Sequence, residues 1–101
     1  MRAFSRYNYR TEVKIEYQGE TFTGISRNIS QGGMFVEIGK EFSIGTLIKI
    51  RFSLPYHKEP IVTNAQVRWV ERKEGRVTGM GIQFLRLKPI EIWAINQLGK
   101  K

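Results

Sequence analysis

The chain has 101 residues, 41% of them hydrophobic, which is enough for one compact core and too few for two ordinary domains. Seventeen Lys and Arg against nine Glu, with no Asp, give a formal charge of +8 and favour anionic partners, phosphate above all. The lack of cysteine excludes disulfide frameworks, thiolate metal sites and thiol nucleophiles, and the glutamates are too scattered to form a ligand cluster, so neither a metal nor a cofactor is expected.

Residues 1–11 read as a flexible amino-terminal arm. Their sequence, "MRAFSRYNYR" and Thr11, lacks the apolar centre of a secretory signal, and no apolar run in the chain approaches the roughly 20 residues of a bilayer span. A cytoplasmic location without membrane insertion is the expectation. A single domain over residues 12–101 begins where Val13, Ile15 and Tyr17 alternate with Glu12, Lys14 and Glu16, the period-two pattern of a strand with one buried face. "QGE" at 18–20 is a tight turn, "TFTGISRNIS" at 21–30 a second strand, and "MFVEI" a third, resumed after Gly32 and Gly33 break the run. Ile48, Ile50, Phe52 and Leu54 alternate with Lys49, Arg51 and Ser53 in a fourth strand entered near Gly45. The segment "PYHKEP", bracketed by Pro55 and Pro60, is an exposed loop, because neither proline can donate to a sheet ladder.

A fifth strand, "IVTNAQVRWVER", and a sixth, "RVTGMGIQFLRL", flank a turn at Lys73 to Gly75. In the fifth, Trp69 is in phase with Ala65 and Val67, which predicts core packing, with stacking on a base as the alternative. "KPIEIWAINQLGK" then changes period: Pro89 suits a first helical turn, Gly99 an end, and Ile90, Trp93, Ala94 and Leu98 recur at helical spacing. This predicts a helix over about 89–98 with Trp93 in the core. Ile92 and Ile95 lie off that stripe, so the helix either plugs the barrel fully or offers a homodimer surface. The sum is a mainly β fold, a six-stranded antiparallel β-barrel with a short C-terminal α-helix.

Nothing in the chain points to catalysis. His57 is the only histidine, lies in the proline-bracketed loop and has no activating partner in the sequence; GxSxG, HExxH and Walker-type motifs are absent. An enzyme is not expected. Two stretches carry binding chemistry instead. In "RYNYR", Arg6 and Arg10 share a side whether extended, about 13 Å apart, or helical, about 6 Å apart. Guanidinium pairs in a planar fork with phosphate and with the O6/N7 edge of guanine, which lysine cannot do. Tyr7 and Tyr9 can stack on a base or pack on the barrel edge. In "NISQGG", a strand would set Asn28 and Ser30 on one face, and Gly32 and Gly33 would permit positive φ and close approach of an anion to backbone N–H groups. Each stretch alone has an ordinary alternative: a basic tail for the first, a polar hairpin corner for the second.

Taken together, RxxxR at the amino-terminal edge and [D/N]xSxxG some two strands later, in a frame of six strands and a helix, resemble the PilZ family of cyclic di-GMP receptors. The likeness extends to "NISQGGMFVE", "GTLIKIRFSLP", "AQVRWV" and "GMGIQF", and thus to nearly the whole chain; small single-domain PilZ proteins described from deltaproteobacteria are the most similar subgroup. The resemblance implies a PilZ-like split barrel and a regulatory second-messenger function, with cyclic di-GMP as ligand. Arg6, Arg10, Asn28, Ser30 and Gly33 would hold it, with Ser5, Tyr7 and Gly32 as secondary contacts. Arm and corner would close as two halves of a clamp and alter a surface for an unidentified downstream protein partner. Tyr7 follows Arg6 where many members carry a second basic residue, which leaves the number of bound ligands open. Asn28 stands where Asp is commoner, which implies weaker binding to guanine N–H groups. Two other functions fit the composition: a basic small-barrel binder of single-stranded nucleic acid, which the paired motifs disfavour, and a PilZ-like protein-interaction adaptor that does not bind the dinucleotide.

Overall fold

A computed structural model describes residues 4–100. In chain order the elements are β1 (Tyr7–Asn8), β2 (Glu12–Tyr17), β3 (Glu20–Ile29), β4 (Gly33–Glu37), β5 (Leu47–Phe52), β6 (Ile61–Lys73), β7 (Arg76–Phe84) and α1 (Pro89–Asn96), which runs into a 3-10 turn at Gln97–Gly99. The pairing order β3-β2-β5-β6-β7-β4 is antiparallel throughout, and β4 pairs back onto β3. Six strands therefore close into a barrel, which removes the exposed edges an open sheet would leave. The expected six-stranded barrel with a terminal helix is the observed fold, and β1 is an addition to it.

Alternation sets the inside of the barrel. Val13 and Ile15 of β2, Ile48, Ile50 and Phe52 of β5, and Ile61, Ala65 and Val67 of β6 are buried, while the residues between them are mostly exposed or half-buried. Two hairpins turn on residues of positive φ: Gln18 and Gly19 between β2 and β3, and Glu74 and Gly75 between β6 and β7. Both central residues being left-handed matches the strand twist, so these corners fix the register of the hairpins they join.

Two expectations about tryptophan fail, each for a local reason. The β6–β7 register shifts between Val67 and Trp69, so Arg68 is an extra residue in β6 and the alternation reverses after it. Trp69 consequently faces outward with 44% exposure. On α1 the buried positions are Glu91, Ala94 and Ile95, with Leu98 half-buried beyond them; Ile90 and Trp93 are on the outside, Trp93 51% exposed. Glu91 joins the inner face because its Oε1 accepts the backbone N–H of Lys88 at 2.9 Å, satisfying a donor at the helix start. Ile95, left off the expected stripe, is fully buried.

The amino-terminal arm continues the line of β2. β4 occupies one side of β3 over Ile25 to Ile29, and β1 and β2 share the other side, β1 pairing Tyr7 with Ile29 and Asn8 with Asn28. Between the two short ladders, the buried Ser26 donates its hydroxyl to the Tyr9 carbonyl and accepts from the Thr11 N–H, while its own N–H donates to the Thr11 carbonyl. Tyr7 and Tyr9 are partly buried against the core. Of the two roles open to these tyrosines, packing is the one they have in this structure.

Candidate functional site

Along β3 the pairing with β4 shifts between Ser26 and Asn28, so Arg27 is a bulged residue. Strict alternation would send one of Arg27 and Asn28 inward. With the bulge both lie half-buried on the outer face, flanked by buried Ser26 and Ile29. Arg6 reaches this point from the arm, and its Nη1 donates to Asn28 Oδ1 at 2.8 Å. The fold thus brings the first residue of one motif onto the first of the other.

Arg10 lies farther along the same surface. Its Nη2 donates to Glu37 Oε1 at 2.9 Å, and Arg27 Nε donates to Glu37 Oε2 at 3.0 Å. Arg27 also pairs bidentately with Glu71, both bonds at 3.2 Å, and Thr78 Oγ1 donates to Glu71 at 2.7 Å. Charges alternate from Arg10 to Glu37, Arg27 and Glu71. Hydrogen bonds from Arg10 and then Arg27 hold the Glu37 carboxyl well below its ordinary range, at about 2. Bonds from Arg27 and then Thr78 lower Glu71, and the two guanidiniums are raised in turn by their carboxylate partners.

The Arg27 guanidinium lies 4.2 Å above the Phe35 ring centroid, and the Phe35 ring neighbours that of Trp69 at 6.4 Å. The glycines of "GMG" form the floor under these rings. A Cβ at Gly79 would come within 2.5 Å of Phe35, and one at Gly81 within 2.2 Å of Trp69. The outer face of β3, β4, β6 and β7 is therefore an open surface of guanidinium groups beside an exposed indole.

The corner after β3 differs from the sequence expectation. β3 ends at Ile29, so Ser30 does not share a strand face with Asn28; it is 3% exposed, and its hydroxyl accepts the Gly32 N–H at 3.1 Å. Its backbone N–H donates to the Gly33 carbonyl at 2.8 Å, closing a tight turn. Positive φ occurs at neither Gly32 nor Gly33. What both positions use is the missing side chain. A Cβ on Gly33 would lie 2.0 Å from the Ile82 carbonyl oxygen across the β4–β7 ladder, and one on Gly32 2.7 Å from the ring of Phe4 in the arm. Ser5 is exposed. Tyr7 lies with its ring over Gly99, and its hydroxyl donates to Asn96 Oδ1 at 3.2 Å; Asn96 Nδ2 donates to Gln31 Oε1 at 3.0 Å. Arm, corner and terminal helix are joined through these side chains.

Arg27, Glu37 and Glu71 carry no sequence signal for this surface, and Trp69 is on it only in the base-stacking alternative to core packing. The bulges that aim Arg27 and Trp69 leave no periodic signature, although two glycines spaced by one residue in a strand do mark where large rings can lie. A shallow depression of about 390 Å³ lies elsewhere, between Lys14, Lys49, Arg51 and Val62, and contains none of the motif residues. Among the described residues no group of His, Cys, Asp or Glu has the arrangement to hold a metal ion, and no helix is long and apolar enough to cross a membrane.

A family model described as PilZ domain matches residues 1–98, arm and barrel together. Among solved structures, the Bacillus subtilis inhibitor of motility, MotI/DgrA, is similar over 100% of this chain with 25% identity and a TM-score of 0.82. This chain spans about half, 53%, of that protein. The PilZ domain of Escherichia coli YcgR, solved with c-di-GMP, is similar over 96% of this chain and 87% of its own, with 14% identity and a TM-score of 0.74. The PilZ domain of CeSA, from a cellulose-synthesizing bacterium, matches over 93% of each chain with 19% identity and a TM-score of 0.65. Among curated proteins no match was found.

Proposed function

Because the chain belongs to the PilZ domain family, we propose that it is a cytoplasmic cyclic di-GMP receptor whose amino-terminal arm and barrel edge hold the ligand between them. One observation carries this reading: Arg6 and Asn28, the leading residues of RxxxR and NxSxxG, are in direct contact at 2.8 Å on the outer face of the barrel. Two motifs separated in sequence form one surface there. Arg6 and Arg10 engage guanine edges and phosphate oxygens through paired N–H donors, and Asn28 uses its carboxamide on a guanine edge. Ser30 and Gly33 act mainly by shaping the corner, since the hydroxyl is committed to the turn and the glycine lets β4 approach β7. Gly32, covered by Phe4, and Ser5 lie close enough in the chain to adjust as the arm moves. Trp69 presents a flat exposed ring on the same face, on which a base can stack.

Binding becomes a signal through the arm. Ligand contacts redirect Arg6 and Arg10, and Tyr7 between them is tied to Asn96 of α1, itself tied to Gln31 of the corner. A shift of the arm therefore bears on the terminal helix, whose exposed Ile90 and Trp93 offer an apolar surface to a protein partner or a second copy of the chain. The similar Bacillus protein, an inhibitor of motility, supports an output of this kind.

Isothermal titration with cyclic di-GMP tests the reading. Saturable binding that is strongly weakened in Arg6→Ala and in Arg10→Ala supports it. Absence of heat up to millimolar ligand overturns it, and steep salt-dependent binding of single-stranded nucleic acid in its place would select the basic-barrel alternative.

A further inference from the structure

Glu37 offers each of its carboxylate oxygens to a different guanidinium: Oε1 to Arg10 of the arm at 2.9 Å and Oε2 to Arg27 of the barrel at 3.0 Å. A phosphodiester presents the same pair of anionic oxygens to the same kind of donors. Of the two arginines, Arg27 is the fixed one. Glu71 grips it through both terminal nitrogens, and its guanidinium rests on Phe35. Arg10 has Glu37 as its one ion-pair partner among the described residues, and its side chain is 59% exposed against 37% for Arg27. The bond that can exchange is thus Arg10 to Glu37.

We propose that Glu37 is an internal substitute for the ligand phosphate: it engages Arg10 in the free protein, competes with cyclic di-GMP for that guanidinium, and so sets the affinity below what the arginine pair alone would give. The inference rests on the reading of Arg10 as a ligand contact. Two effects act in the same direction. The arm's ion pair must break before Arg10 can turn to the ligand, and a dianion arriving beside an ionised Glu37 is repelled by it. Both weaken with salt. The carboxylate returns to Arg27 alone when Arg10 leaves, so no buried charge is stranded and the exchange stays reversible. By this account Glu37 is a positioning residue that acts through Arg10.

Titration of the full chain with cyclic di-GMP, for wild type, Glu37→Gln, Arg10→Ala and the double variant, tests the proposal. Glu37→Gln keeps the side-chain shape and removes the charge. Its affinity is expected to rise about two- to five-fold at ~0.1 M salt, the range of one exposed ion pair, and the gain to shrink at ~0.5 M. In the Arg10→Ala background the gain should vanish. Amide exchange in the free Glu37→Gln protein should speed up at residues 7–10 while affinity rises, a combination that a merely structural role would not produce. If wild type binds and Arg10→Ala weakens binding, yet Glu37→Gln binds equally or more weakly, the competitor role is wrong and the receptor reading stands. If wild type shows no binding, the receptor reading fails and this inference with it.

Discussion

Arg6 donates to the side-chain carbonyl of Asn28 at 2.8 Å across 22 positions of sequence, next to the backbone pairing of Asn8 with Asn28. A free basic tail has no reason to end on an asparagine next to the β3 bulge. The contact also means that, in the empty protein, the arm's first motif arginine satisfies the barrel's first motif residue. Ligand binding then replaces one set of polar contacts by another, so its net gain depends on the charge of the phosphates, for which Asn28 cannot compete.

Arginine-to-alanine changes should therefore act on binding far more than on folding. Arg6→Ala and Arg10→Ala are each expected to weaken cyclic di-GMP by roughly ten- to hundred-fold, the range for hydrogen bonds to a charged group. Their urea midpoints should stay near that of wild type, because both side chains are exposed. Calorimetry and chemical unfolding on the same samples check the pair of outcomes.

Ser30→Ala should show the reverse balance. The hydroxyl accepts the Gly32 N–H inside a closed turn and is 3% exposed. Its removal leaves that donor short of a partner and should cost about 1 kcal/mol of stability. Ligand affinity should fall only a few-fold, through loosening of the corner. A loss of affinity as large as that of Arg6→Ala, at unchanged stability, would instead give the hydroxyl a direct ligand contact.

Gly33→Ala is a test of fold, not of ligand approach. The added methyl would meet the Ile82 carbonyl oxygen at 2.0 Å, and backbone on both sides leaves nothing flexible to yield. Strands β4 and β7 would have to separate, at a cost of roughly 2–3 kcal/mol or more. A urea midpoint unchanged from wild type would show that the ladder absorbs the methyl and would return Gly33 to the ligand.

The strands were legible because their physics is local. Val13 and Ile15, or Ile48 and Ile50, declare a buried face by alternation alone, and Gly19 and Gly75 mark the hairpin corners where φ is positive. Trp69 was misplaced because a one-residue bulge at Arg68 reverses the phase without any change in composition. Trp93 was misplaced because a buried Glu91, acting on the Lys88 N–H, takes a position that an apolar count assigns to solvent. The two motifs were visible as spacings, but the carboxylates that occupy their arginines were not. Glu37 and Glu71 come to Arg27 from β4, which pairs with β3, and from β6, which lies beyond β7, so only the closed barrel brings the three side chains together.

Trp69 gives an optical test of where the ligand sits. Its indole is 44% exposed, on the face that carries Arg27. In a Trp93→Phe background, which leaves one tryptophan, saturating cyclic di-GMP should change the emission of Trp69 with the same midpoint as the calorimetric titration. Trp69→Ala should weaken binding by about five- to hundred-fold if a base stacks on the ring. An emission spectrum indifferent to bound ligand would put the bases away from β6.

Acid should dismantle the ion network in a defined window. Unfolded, the Glu37 carboxyl titrates at its ordinary value of 4.5; folded, its bonds to Arg10 and then Arg27 lower it to about 2. Because the folded value is the lower one, the unfolded chain binds the proton first as pH falls. The stabilisation is thus complete above about 4.5 and is lost progressively toward 2. Other carboxylates titrate in the same range, so the informative quantity is the difference in urea midpoint between wild type and Glu37→Gln. That difference should be constant from pH 8 to pH 5 and shrink between 4.5 and 2, where the wild-type side chain also becomes neutral. A difference that persists undiminished at pH 2 would mean that it comes from the amide nitrogen facing the guanidiniums and not from the lost charge of Glu37.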